Sequence, residues 1–81
     1  MPGSDAGLRK RSLTVAGHRT SVSLEAPFWE ALSVLAQDRG LSVQALVAAI
    51  DRSRGEGNLS SAIRVHVLAA YRTAAAENPP G

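Results

Sequence analysis

Apolar and polar residues alternate along Arg19-Thr20-Ser21-Val22-Ser23-Leu24, and at Glu25-Ala26-Pro27-Phe28-Trp29 the alternation gives way to a helical spacing. Strand side chains repeat every second residue, so Thr20, Val22 and Leu24 share one face and Arg19, Ser21 and Ser23 the other. The first face has to be buried; the second can hydrogen-bond. A lone strand leaves its backbone groups unpaired, so this one needs a neighbour, and the same strand of a second chain is the obvious candidate. A weaker alternation in Leu13-Thr14-Val15 precedes it, with apolar residues on odd numbers before Gly17 and on even numbers after it. A bulge or a turn at Gly17 must absorb that change of parity. A bulge leaves one long bent strand, whereas a turn makes residues 12 to 24 a hairpin with an extra strand outside the central ribbon.

The first helix is predicted to start near Ala26, where Pro27 suits a first turn and Glu25 and Glu30 complement the positive helix end. Phe28, Ala31, Leu32, Leu35 and Ala36 form its apolar stripe, which stops at Arg39-Gly40. Trp29 flanks the stripe and is read as a core residue, because a single Trp without aromatic neighbours makes a poor base-stacking platform. Ser42 is placed to cap a second helix in which Val43, Leu46, Val47 and Ile50 recur at helical spacing. The polar stretch Asp51 to Asn58, with two glycines, reads as a loop. A third helix starting near Asn58 or Ser60 carries Leu59, Ile63, Val67, Ala70, Tyr71 and Ala74 on one face, with Val65 and Leu68 beside them. So broad an apolar surface implies burial between chains or against the first two helices. The expected organisation is a disordered basic arm over residues 1–11, one domain over 12–75, and a disordered end over 76–81.

A chain of 81 residues builds a core that rarely sustains a monomer without disulfides, metal or oligomerisation. There is no cysteine, and His18 and His66 fall in different elements with no carboxylates gathered around them, so neither a metal nor a cofactor is expected. His18 is read as a turn or strand residue and His66 as a helix surface residue. Oligomerisation is left, and the expected dimer core is Val22, Leu24, Phe28, Leu32, Leu35, Leu46, Val47 and Ile50. No apolar run approaches the roughly 20 residues that cross a bilayer. The residues after Arg9-Lys10-Arg11 alternate between polar and apolar and lack the apolar block of a signal peptide, which points to the cytoplasm. Residues 1 to 24 hold Arg9, Lys10, Arg11 and Arg19 against Asp5, whereas residues 25 to 81 hold five arginines against six acids. Positive charge thus sits with the strand region, where a polyanion would be met. No serine has a histidine and carboxylate arranged to activate it, and Arg54-Gly55-Glu56-Gly57-Asn58 lacks the Lys-Ser/Thr of a phosphate-cradling loop. No catalytic residue is assigned.

The strand Arg19 to Leu24, a helix closing on Gly40, and Leu41-Ser42-Val43 opening a second helix together resemble the ribbon-helix-helix (Arc/MetJ-like) DNA-binding family over residues 18 to 51. The chain is also similar to a bacterial subgroup with a basic stretch like Arg9-Lys10-Arg11, a run like Gly17 to Leu24, and a third helix. The resemblance implies a mostly α fold with a short β-ribbon: a dimer with intermolecular antiparallel strands, plus an additional C-terminal helix. It implies that the ribbon enters the major groove of double-stranded DNA with Arg19, Ser21 and Ser23 toward the bases, while Leu41, Ser42 and Val43 grip a phosphate. The physics agrees, since free N–H groups and the positive dipole end at Ser42 attract anions. Arg19 has the donors to meet guanine O6 and N7, and Arg9, Lys10 and Arg11 add charge for the phosphate backbone. The expected function is a homodimeric transcriptional regulator associated with the nucleoid. The competing reading is an oligomerisation or protein-interaction module of the same fold, including an antitoxin-like partner of a toxin.

Overall fold

The computed structural model describes residues 8–77, which form β1 (Leu8–Val15), β2 (His18–Glu25), α1 (Ala26–Asp38), α2 (Val43–Arg54) and α3 (Leu59–Glu77). Gly17 makes a turn. The strands pair antiparallel from Val15 opposite His18 to Leu8 opposite Glu25. They are joined by Ala16 and Gly17 at φ 54° and 83°. Positive φ at both central residues is the two-residue loop that matches strand twist. Glycine adopts it freely, while Ala16 costs about 1 kcal/mol. Across so short a loop, odd residues of β1 face even residues of β2, which is the parity change seen in the sequence.

β2 therefore takes its partner from its own chain. The two-residue loop closes the hairpin locally, and the expected pairing with the same strand of a second chain concerns the other edge of β2. Arg9, Lys10 and Arg11 lie in β1 and not in a disordered arm; residues 1–7 of that expected arm are outside the described residues. At the other end Ala76 and Glu77 belong to α3, and residues 78–81 are outside the described residues. α2 also continues through Asp51–Arg54, which was expected to be loop. Asp51 and Arg54 pair across one helical turn at 2.7 Å, tying that last turn together.

Each helix boundary has a local cause. α1 ends in a Schellman motif: Gly40 at φ 69° lets the Leu41 N–H reach the Ala36 carbonyl at 2.8 Å and the Gly40 N–H reach that of Gln37 at 3.1 Å. The Ser42 hydroxyl accepts from the Ala45 N–H at 3.0 Å, and the Asn58 side chain caps α3 through the Ser61 N–H at 2.9 Å.

The core lies between the ribbon and the helices. β1 rests on α2, β2 on α1 and α3, and α3 closes over both other helices. Val15, Val22, Leu24, Trp29, Leu32, Ala36, Leu46, Val47, Ile50, Ile63 and Val67 are buried, with Phe28 and Leu35 half-buried against them. The residues expected to form a dimer core are thus packed within one chain. His66 is half-buried and not on the surface, and its Nε2 has no hydrogen-bond partner.

Candidate nucleic-acid interface

Directly opposed residues of a hairpin point to the same face. Lys10 opposes Ser23, Ser12 opposes Ser21, and Thr14 opposes Arg19. These six side chains form the face turned away from the helices, because Val22 and Leu24 on the other face are buried. Arg19, Ser21 and Ser23 are therefore together, as the sequence predicted. Lys10, Ser12 and Thr14 of the same face were not assigned to base reading, although a two-residue turn at Gly17 would have placed them there by parity alone.

Arg9 and Arg11 belong to the inner face, opposite Leu24 and Val22. The ribbon overhangs α1 there, so both stay exposed while being held from below. The Arg11 guanidinium sits 4.6 Å from the centre of the Trp29 ring, in cation–π range. The Trp29 indole N–H donates to the Arg9 carbonyl at 3.0 Å. With Glu30 and Ser33 these residues line an open cleft of about 680 Å³ beneath β1. The three basic residues of the expected arm are thus divided: Lys10 on the outer face, Arg9 and Arg11 below it.

Glu25 ends β2, and it is paired with Arg64 of α3 at 2.9 Å. That hydrogen bond, more than the Glu25 backbone N–H, holds its carboxyl below the ordinary glutamate range. Its charge is thereby matched at the end of the outer face.

The start of α2 lies beside the opposite edge of the ribbon. The Thr14 N–H donates to the Gln44 side-chain oxygen at 2.9 Å, which fixes Leu41, Ser42 and Val43 next to β1. Leu41 and Ser42 are exposed and Val43 is half-buried. Ser42 satisfies one first-turn N–H, and the remaining ones point outward with the positive end of the helix dipole. A cationic, hydroxyl-rich ribbon face beside a helix N-terminus suits a polyanion whose phosphates flank a groove. Among the described residues, no three His, Asp or Glu side chains converge as metal ligands, and no helix is long and apolar enough to cross a membrane.

Residues 8–71, from the first strand into the third helix, match the family model of the ribbon-helix-helix domain. The chain belongs to the ribbon-helix-helix family. That membership places it among DNA-binding regulators in general. A solved structure of an uncharacterized protein from Bordetella pertussis Tohama I is similar, at 36% identity and a TM-score of 0.74. The match covers 86% of this chain and 59% of the other, so this chain spans about three fifths of that protein's length. No functionally curated protein matches.

Proposed function

We propose that this ribbon-helix-helix protein binds double-stranded DNA sequence-specifically as a transcriptional regulator, on the nucleoid in the cytoplasm. The ribbon of a single chain enters the major groove, Lys10 and Arg19 reach base edges, and the start of α2 meets a phosphate. The observation that carries this reading is the outer ribbon face, where Lys10, Ser12, Thr14, Arg19, Ser21 and Ser23 gather without an opposing carboxylate among them. A two-stranded ribbon is narrow enough for a groove about 12 Å wide. Ser42 and its neighbours hold the phosphate through backbone N–H groups, and Arg9 and Arg11 meet the backbone at the far end of β1. Homodimer formation is part of the proposal, and it must use a surface other than the β1–β2 pairing.

The test is a salt titration of binding to selected and random duplexes. Arg19→Ala and Lys10→Ala should each weaken the selected site by about 1–3 kcal/mol and relax its sequence preference. Arg9→Ala should weaken all duplexes alike and lower the salt slope by about one unit. Binding that is absent at low salt, or unmoved by both outer-face changes in folded protein, would sink this reading. It would favour the interaction module instead.

A further inference from the structure

Backbone groups along a hairpin strand point alternately toward the partner strand and away from it. Val15 and His18 flank the two-residue loop, so Val15, Leu13, Arg11 and Arg9 bond toward β2, while Thr14, Ser12, Lys10 and Leu8 direct their N–H and C=O groups outward. The Thr14 N–H obeys this alternation, since it meets Gln44 of α2 outside the ribbon. Further along the strand, no backbone group of the described residues hydrogen-bonds to Ser12 or Lys10 on that side, and residues 8–12 are all exposed. The stretch is nevertheless held in place. The Trp29 indole N–H donates to the Arg9 carbonyl at 3.0 Å, and the Trp29 ring supports the Arg11 guanidinium at 4.6 Å, so the edge is formed before anything adds to it.

Beneath this edge lies the cleft of about 680 Å³, lined by Arg9 and Arg11 on one side and by Glu30 and Ser33 of α1 on the other. Among the described residues the ion pairs join Asp51 to Arg54 and Glu25 to Arg64, and neither takes up Arg9, Lys10 or Arg11. Three successive cations decide what can add here. A second copy of β1 would set Arg and Lys across from Arg and Lys, and like charges directly opposite are destabilising. Charge on an edge strand is one way proteins refuse such self-pairing. A row of backbone donors and acceptors is matched by another polypeptide strand, and the unpaired cations are matched by an acidic one.

We propose that the β1 edge over residues 8–12 receives an extended acidic segment of another protein, with acids at alternate positions. Lys10 and Ser12 exchange backbone hydrogen bonds with the segment. Its residues opposite Arg9 and Arg11 fall in non-hydrogen-bonded pairs, where side chains approach most closely, and they share the inner face with the two arginines, over the cleft. Carboxylates at i and i+2 therefore meet the two guanidinium groups. Glu30 across the cleft sets the limit, because a further acid reaching that far would face a like charge. The intervening residues of the segment lie on the outer face beside Lys10 and Ser12. A bound segment occupies the arginines that the DNA reading assigns to the phosphate backbone, so segment and DNA exclude one another. That exclusion rests on the DNA reading above; the docking of the segment does not.

The experiment titrates the full chain with a capped peptide in which Glu alternates with Thr, read by calorimetry and by the fluorescence of Trp29, the one tryptophan of the chain. Two controls accompany it: a peptide of the same composition with its glutamates consecutive, and the alternating peptide N-methylated at its threonines. The alternating peptide should bind saturably and about tenfold or more tightly than either control. Arg11→Ala should weaken it about tenfold. Ser12→Pro should weaken it too, because it removes an outward N–H at a position where an edge strand tolerates proline and leaves the charge unchanged. Absence of binding, equal affinity for the alternating and consecutive peptides, or indifference to Arg11→Ala overturns the docking. Binding that survives both N-methylation and Ser12→Pro overturns it as well, since charge alone would then account for the affinity. Added duplex should displace the peptide, and a peptide that stays bound beside DNA overturns the exclusion alone. If the chain binds no DNA at low salt, the DNA reading and the exclusion both fall, while the peptide titration still decides the docking.

Discussion

Replacing Ile63 with alanine measures how firmly α3 is held by its own chain. Ile63 has no exposed surface and sits in the common core with Val47 and Ile50 of α2. The change removes three carbons, worth about 2.4 kcal/mol at about 0.8 kcal/mol each. The cavity left behind brings the expected loss to about 2–5 kcal/mol. In a domain of this size each kcal/mol moves the thermal midpoint by about 4–8 °C, so a fall of about 10 °C or more is expected. Val65→Ala, two residues along on the exposed side, should stay within about 0.5 kcal/mol of wild type. Circular-dichroism melts of both variants at several protein concentrations make the comparison. Equal losses at the two positions would refute the docking of α3 on its own chain. So would an Ile63→Ala loss that disappears as concentration rises, since that would place the contact between molecules.

His66 is held below its ordinary pKa, first by burial and second by the charge of Arg39, with Asp38 lining the same side of α3. The unfolded chain then binds the proton more readily, so stability should be full above about pH 6.5 and decline as pH falls through the lower folded pKa. Melts of wild type and His66→Gln from about pH 7.5 to about 4.5 should show the variant losing less; parallel curves would exclude the effect. Gly17→Ala meets no atom within 4 Å, so its cost is the positive φ alone, about 1–2 kcal/mol in urea unfolding, and a neutral result would contradict the turn geometry. Val22→Asp buries an unpaired carboxylate beneath the ribbon, at a position 2% exposed, and should abolish the folded circular-dichroism signal at neutral pH; a retained signal would contradict that enclosure.

The helices were legible because their signals are local: Pro27 at a first turn, Ser42 as a cap, Gly40 as a stop, and apolar stripes between them. The additional C-terminal helix and the ribbon ahead of two helices conform to the same pattern. The choice between a hairpin and one long bent strand was not legible, because Gly17 allowed a turn or a bulge and only the φ values of Ala16 and Gly17 decide it. The first half of β1 was hidden for a different reason. Its inner-face positions hold Arg9 and Arg11 where a strand pattern calls for apolar residues. Their support is Trp29, far along the chain from both, through a ring contact and an indole hydrogen bond that no short window reveals. His66 was misplaced because its helical position borders the stripe, and only the packing of α3 on α1 and α2 encloses it.

A ribbon made by two identical strands carries every substitution twice and meets its target as a palindrome. Here the two strands are different stretches of one polypeptide, Lys10-Arg11-Ser12-Leu13-Thr14 and Arg19-Thr20-Ser21-Val22-Ser23. A mutation at Lys10 changes one side of the ribbon and leaves the other as it was. The two sides of the hairpin are therefore free to diverge in sequence, each under its own constraint, as two copies of one strand are not.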